Sequence, residues 1–414
     1  MNKNVILFAA VFLISPLSVL ADSDWVQWRG PSGNGVAAKS ANPPLEWGEN
    51  RNVRWKMPIP GRGHSSPVVT GDFVVLTSAS EKEQFVLGID RASGDQRWQS
   101  VLHKGGIPTN LHRKNTAATA TPTTDGKSIY VLFHNRGRLL LTALDCEGRE
   151  IWEKDTGPFH CDYRFGYGPS PTLHNGMLIV ASEFAEGGYL AAFRSSDGSE
   201  VWRIDRKVKT SYSSPIVAHV AGRDQLLLSG ANKIISLDPA NGSLFWEVEG
   251  SSLATCGTMV WNEDTVFASG GFPNKETIAV RADGSGEILW RNTDKSYEQS
   301  LLYTDGHIYT LNDTGIAVCW NAETGERKWR ERLGGPVSSS PILAGARIYA
   351  TNERGITFVF APNPDRFEKL AEFQLGDEGF ATPVFVGDTV FVRTAEQTGS
   401  RQEFLYCIGT GPGS

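Results

Sequence analysis

Seven tryptophans recur along this chain at near-regular spacing: Trp55, Trp98, Trp152, Trp202, Trp246, Trp290 and Trp329. Six have a glycine four positions earlier, namely Gly94, Gly148, Gly198, Gly242, Gly286 and Gly325. A fixed internal period restricts the possible folds more than any other property of a chain. Successive intervals are 43, 54, 50, 44, 44 and 39 residues, and Phe373 continues the series 44 residues later. Segments such as DPANGSLFW and NAETGERKW read as a turn leading into a strand. The Asp or Asn opens the turn through its side chain, and the glycine supplies the positive φ. A second marker lies upstream of each tryptophan: Ser66-Pro67, Thr121-Pro122, Ser170-Pro171, Ser214-Pro215, Ser340-Pro341 and Thr382-Pro383, with Thr258 and Leu301 at the equivalent places in the fifth and sixth units. Marker and tryptophan are 28 to 32 residues apart, room for four short strands and three turns with no helical period between them. A four-stranded unit repeated in this way is a propeller blade. Eight markers predict an all-β, eight-bladed β-propeller over residues 51–409. Trp55 precedes the first marker, and the last unit ends at FLYCIG without a tryptophan strand. Residues 51–57 are therefore expected to supply the outer strand of the eighth blade and close the ring.

The ends of the chain read differently. Lys3, an apolar run from Val5 to Ile14 and the small-residue site ending at Ala21 resemble a cleavable signal peptide over 1–21. The apolar run is too short for a spanning helix. Without residues 1–21 the chain has 39 Lys and Arg against 46 Asp and Glu, a balance that argues against nucleic acid as a partner. No cysteine follows the apolar run, so no lipid anchor is indicated, and export to the periplasm or the medium is expected. Residues 22–50 read as an extension docking on the propeller, and 410–414 as a tail. The five cysteines form no CxxC motif; Cys146 and Cys161 are either paired or buried thiols.

Blade length is nearly constant, so variation lies in the connections. From each tryptophan to the next marker the counts are 12, 24, 19, 13, 12, 11, 12 and 10, taking Phe373 as the last. The two long connections, 99–121 and 153–170, are expected to overhang the channel above blades 1 to 3. The first holds His103, Lys104, His112, Arg113, Lys114 and Asn115 without an acidic residue; the second holds His160, Cys161, Asp162, Tyr163, Arg164 and Tyr167; Arg62 and His64 precede the first blade. Clustered Arg, His and Tyr suit an anionic or polar ligand, or they form a solvated basic rim. The candidate ligand-binding set is Arg62, His64, His112, Arg113, Asn115, Asp162, Arg164 and Tyr167. No metal-ligand spacing and no catalytic motif is present.

The segments Leu237-Asp238 to Trp246, Asn321 to Trp329 and Ile89-Asp90 to Trp98 resemble the tryptophan-docking motif of the PQQ-repeat β-propellers. The opening DWVQWRGPSGNGV and closing VFVRTAEQTGSRQEFLYCIG are similar to an exported subgroup of that family. The resemblance covers 51–409 and implies a blade-docking role for the seven tryptophans. It leaves two functions open. One is a non-catalytic scaffold in the manner of BamB, binding envelope or exported proteins as a monomer with no cofactor. The other is a quinoprotein dehydrogenase, or a binder of a polar ligand at the channel mouth. Enzymes of the family hold pyrroloquinoline quinone (PQQ) with calcium against a tryptophan, and many add a disulfide between adjacent cysteines. This chain has no adjacent pair, and Glu183, Asp162 and Glu298 are its acidic candidates.

Overall fold

Thirty-two strands arrange into eight separate four-stranded antiparallel sheets in a computed structural model that describes residues 24–161 and 164–410. The expected leader, Asp162 and most of the expected tail lie outside the described residues. The protein is an all-β propeller of eight blades. Blade 1 is built from Val68–Thr70, Phe73–Ala79, Glu83–Asp90 and Gln96–Lys104, from the channel outwards. Blades 2 to 7 repeat the order. Blade 8 takes its three inner strands from the C-terminal end (Val384–Val386, Thr389–Thr398, Ser400–Ile408) and its outer strand, Val53–Ile59, from the N-terminal end. Trp55 lies opposite Cys407 and Met57 opposite Leu405. Closure thus pairs an edge that would otherwise stay open.

The tryptophans sit on the outer strands and reach toward the following blade. Trp98 Nε1 donates to the Cys146 carbonyl (2.8 Å), Trp202 Nε1 to Pro239 (3.0 Å), and Trp290 Nε1 to Ala322 (2.8 Å). A Cβ on Gly148 would lie 2.5 Å from the Trp98 ring, and Gly148 has φ +78°. Space and backbone conformation both require glycine there. Trp246 differs. The equivalent carbonyl, Ala282, accepts instead from Gln225 Nε2 (2.8 Å), and Gln225 Oε1 takes the Trp246 N–H (2.9 Å). A buried glutamine is inserted as a relay.

Every outer strand carries a bulge at one place, the residue before the tryptophan: Arg54, Arg97, Ile151, Val201, Phe245, Leu289 and Lys328 have no cross-strand partner. In blade 7 the skipped residue is Leu370, so Ala371 stands at the tryptophan position, opposite Val359. Phe373 is therefore not the eighth member of the series. Counting from the previous tryptophan missed this because the last turn of blade 7, 361–368, has its own length. The missing ring comes from elsewhere: Trp47 of the extension is stacked on Tyr349 (5.7 Å, 14°) and edge-on to Phe373 (4.4 Å). In blade 6 the corresponding Tyr309 faces its own Trp329 at 6.0 Å.

The rest of the extension crosses one end of the channel. Trp25 exchanges both backbone hydrogen bonds with Val69 of blade 1, Val26 accepts from Thr124 of blade 2, and Ala37 donates to Leu343 of blade 7. Arg29, 1% exposed, donates to the Asn34 and Leu301 carbonyls; burial lowers its pKa to about 9. All five cysteines are free thiols, Cys146 and Cys161 included.

Candidate functional site

A belt of hydroxyls runs around the channel where the inner strands begin. The Ser66 N–H donates to Thr121 Oγ1 (3.1 Å), Thr121 to Ser170 Oγ (2.9 Å), and Ser170 to Ser214 Oγ (2.8 Å). Across the ring Thr258, Ser300 and Ser340 each donate 3.0 Å to the next blade's hydroxyl. The belt is stitched at one remaining joint by Ser66 Oγ to the Thr382 carbonyl (2.9 Å) and near the other by Ser213 Oγ to Gly257 (3.0 Å). The hydroxyl is thus the recurrent chemical element of the marker, and the proline is dispensable. Thr258 and Ser300 hold their places without one.

Above the belt lies a cavity of about 200 Å³. The residue two positions before each marker hydroxyl faces it, one per blade: His64, Thr119, Gly168, Tyr212, Cys256, Glu298, Ser338 and Phe380. Trp28 of the extension also lines it, from the end of the channel that the extension crosses. His112, Lys114, Asn115 and Phe165 of the two long connections cover the other end.

Those two connections hold each other. His112 N–H donates to the Arg164 carbonyl (2.6 Å), Arg164 Nη1 to Asn110 Oδ1 (3.1 Å), and Asn115 Nδ2 to the Phe165 and Tyr167 carbonyls. Lys114 then spans the mouth. Its ammonium lies 2.9 Å from Glu298 and 2.8 Å from Glu353, on the far side of the ring. Ser338 Oγ is 2.5 Å from Glu298 Oε2 and 2.8 Å from Glu353 Oε1. Burial works against the Lys114 charge, but the two carboxylates outweigh it and hold its pKa above the usual lysine value.

His64 stacks on Phe380 with ring centroids 4.3 Å apart. Burial, then the charges of Arg62, Arg393 and Arg401, push its pKa well below the ordinary value, so the ring is neutral. Its hydrogen bond to the Lys114 backbone acts in the opposite sense, as a ring N–H donated to a carbonyl does; Nε2 is buried without a partner. The three arginines share two carboxylates, Glu378 and Glu403. Arg62 lies 3.8 Å from Glu378, Arg401 reaches both carboxylates at 2.8 Å, and Arg393 meets Glu403 at 2.7 Å in a pair only 2% exposed.

Of the residues singled out in the sequence, His64, His112 and Asn115 line the cavity. Arg62 instead donates to the Arg113 carbonyl (2.9 Å), Arg113 and Arg164 are exposed, and Tyr167 is buried with its hydroxyl on the Ala181 carbonyl (2.8 Å). The mouth is not a basic rim either, because acidic partners arrive from blades 6 to 8. Tyr212, Cys256, Ser338 and Phe380 were not singled out. Their signal is register: each lies two residues ahead of a marker hydroxyl.

The family model described as outer membrane protein assembly factor BamB matches residues 48–159, 82–303 and 274–362. The chain belongs to this family of PQQ repeats. No curated protein sequence matches it. BamB from Moraxella catarrhalis superposes with a TM-score of 0.61 at 15% identity, covering 86% of this chain and 99% of that one. A europium-containing methanol dehydrogenase gives 0.68 at 11%, covering 94% and 98%. The quinohemoprotein alcohol dehydrogenase of Comamonas testosteroni gives 0.68 at 13%, covering 94% and 81%. At these identities the likeness is one of fold. This PQQ-repeat propeller therefore has both an assembly factor and dehydrogenases among its structural neighbours. Among its described residues no helix is long and apolar enough to cross a membrane.

Proposed function

We propose that this protein is an exported, non-catalytic scaffold that binds a protein partner of the cell envelope on one arc of its perimeter. The observation that carries this reading is the identity of the bulge residue around the ring. It is charged in blades 8, 1 and 6 (Arg54, Arg97, Lys328), apolar in blade 7 (Leu370), and apolar in four successive blades, 2 to 5 (Ile151, Val201, Phe245, Leu289). Ile151 is 52% exposed and Leu244, beside Phe245, 55%. Neighbouring exposed apolar side chains on a rigid rim suit an interaction surface. A bulge also blunts strand addition at a sheet edge, so the partner packs by side chains on the arc. Export rests on the leader read over residues 1–21, and the family description supports an envelope role.

Donor chemistry at the mouth weighs against the quinoprotein alternative. PQQ is an anion with several carboxylates. Lys114 is the one Lys or Arg among the described lining residues, and it is engaged by two glutamates. Those glutamates are bridged by the ammonium and Ser338 rather than left open for calcium. No group of three His, Cys, Asp or Glu among the described residues is placed to hold a metal. The residues present do not fit PQQ with calcium.

The test is photocross-linking in the intact envelope with a photoreactive residue at 151 or 201, against 97 or 328. Adducts of one defined mass at the first pair alone are expected. Equal labelling at both pairs, or none, refutes the arc.

A further inference from the structure

The axial cavity has a chemistry of its own, independent of the perimeter reading. Its volume, about 200 Å³, is below the ~300–1,000 Å³ common for larger ligands, so it suits a single compact ring. The acceptor is His64 Nε2, buried and without a partner. A buried lone pair of this kind calls for a donor from whatever fills the space. Donors come from the belt. Thr121, Ser170 and Ser214 line the cavity, and each hydroxyl oxygen already accepts a backbone N–H. That leaves each with its own proton to give. Aromatic faces surround these polar points: Trp28, Phe165, Tyr212, Tyr297 and Phe380.

Charge narrows the class further. Lys114 is offset by Glu298 and Glu353, and His64 is neutral. Among the described lining residues an anion would meet one cation, Lys114, and that cation is already held by two carboxylates. A hydrophobic ring would leave His64 Nε2 and the belt hydroxyls unsatisfied, at a cost that polar sites do not tolerate. An occupant with apolar ring faces and hydroxyls around its edge satisfies all three features.

We infer that the channel binds an uncharged cyclic polyol, a monosaccharide or the terminal ring of a saccharide, between its aromatic walls with one hydroxyl donated to His64 Nε2. Lys114, by tying the covering loops to Glu298 and Glu353, closes the site over the ring. No bond is made or broken; the site recognises.

The experiment is calorimetry on the mature protein with glucose, galactose, mannose and N-acetylglucosamine, and with choline and PQQ as charged probes. At least one sugar is expected to bind with millimolar or tighter affinity. His64→Leu should weaken it at least ~10-fold, the order of one lost hydrogen bond to a buried acceptor. Should that variant fail to fold, nitrogen NMR of the wild-type imidazole gives the same answer, since Nε2 must shift when it accepts a hydroxyl. Absence of heat with every sugar at 10 mM (~10⁻² M) overturns the proposal. So does tighter binding of choline or PQQ than of any sugar, and so does a sugar that binds without moving the His64 resonance.

Discussion

Two rings of eight positions organise this molecule, and they differ in what repeats. On the perimeter the position after each bulge is filled seven times by tryptophan and once by Ala371, with Trp47 supplying the absent ring. At the axis the position two before each marker hydroxyl is filled by eight residues of eight kinds, from Gly168 to Tyr212. Identity at a repeated position marks packing, because every blade meets its neighbour in the same way. Diversity at a repeated position marks the place where a symmetric scaffold has been made asymmetric, and binding a ligand requires asymmetry.

The perimeter offers the largest expected effect. Trp202→Ala removes a ring that is 8% exposed and hydrogen-bonded across the blade interface; a loss of ~3–5 kcal/mol is expected in urea unfolding. Trp47→Ala should cost about the same ~3–5 kcal/mol, although Trp47 is outside the repeat. A loss below ~1 kcal/mol for Trp47 with a full loss for Trp202 would break the equivalence of the two rings.

This pair also shows what was legible. The blade count, the four-strand blade and closure through Val53–Ile59 could be read because they rest on local turns and on a residue repeated at fixed spacing. Trp47 could not, because its place depends on a contact with Tyr349 some three hundred residues away. The mouth was half legible for the same reason. The connection holding Lys114 looked purely basic because its counter-charges, Glu298 and Glu353, come from the opposite side of the ring. Asn115 was found within a long connection and His64 just ahead of the first blade, while Tyr212 and Phe380 required the register of the belt.

Next in size is the mouth. Lys114→Met leaves Glu298 and Glu353 near one another without their shared cation. A loss of ~2–4 kcal/mol at pH 7 is expected, as for a broken, largely buried ion pair. Lys114→Arg, which keeps the cation, should recover part of that loss. Thermal unfolding of wild type and both variants checks this. Equal losses in the two variants would mean that Lys114 acts through the packing of its stem alone.

A smaller effect separates blade 4 from its neighbours. Gln225→Ala strands the Trp246 indole N–H, the Ala282 carbonyl and the Ser236 hydroxyl, which donates to Gln225 Oε1 at 2.5 Å. The expected cost is ~1–3 kcal/mol. Trp246→Phe should then be less harmful in the Gln225→Ala background than alone, since the stranded N–H is gone; a double-mutant cycle measures the coupling. Additive losses would show that the relay is not a unit.

The smallest effect is a slope with pH, and it compares two imidazoles on either side of the covering loops. His134 packs edge-on against Phe159 (5.1 Å) with neither ring nitrogen partnered. Burial, then the nearby His160, lowers its pKa from 6.5 to about 4. His64 is shifted in the same direction. The unfolded chain takes up a proton at each site as the pH falls through 6.5, while the folded protein does not until lower pH. Their contribution to stability is therefore complete above 6.5, declines as acid is added, and for His134 levels off below about 4. Each site adds at most ~1.4 kcal/mol per pH unit inside its window. His134→Leu should flatten the fall in unfolding free energy between pH 6 and pH 5, and His64→Leu should do so independently. A sugar seated on His64 Nε2 in the wild type would hold that ring neutral further into acid, so added ligand should extend the His64 share of the slope to lower pH and leave the His134 share untouched. If ligand alters both shares, the covering loops move as one body on binding, and the axial ring and the loops above it form a single cooperative unit.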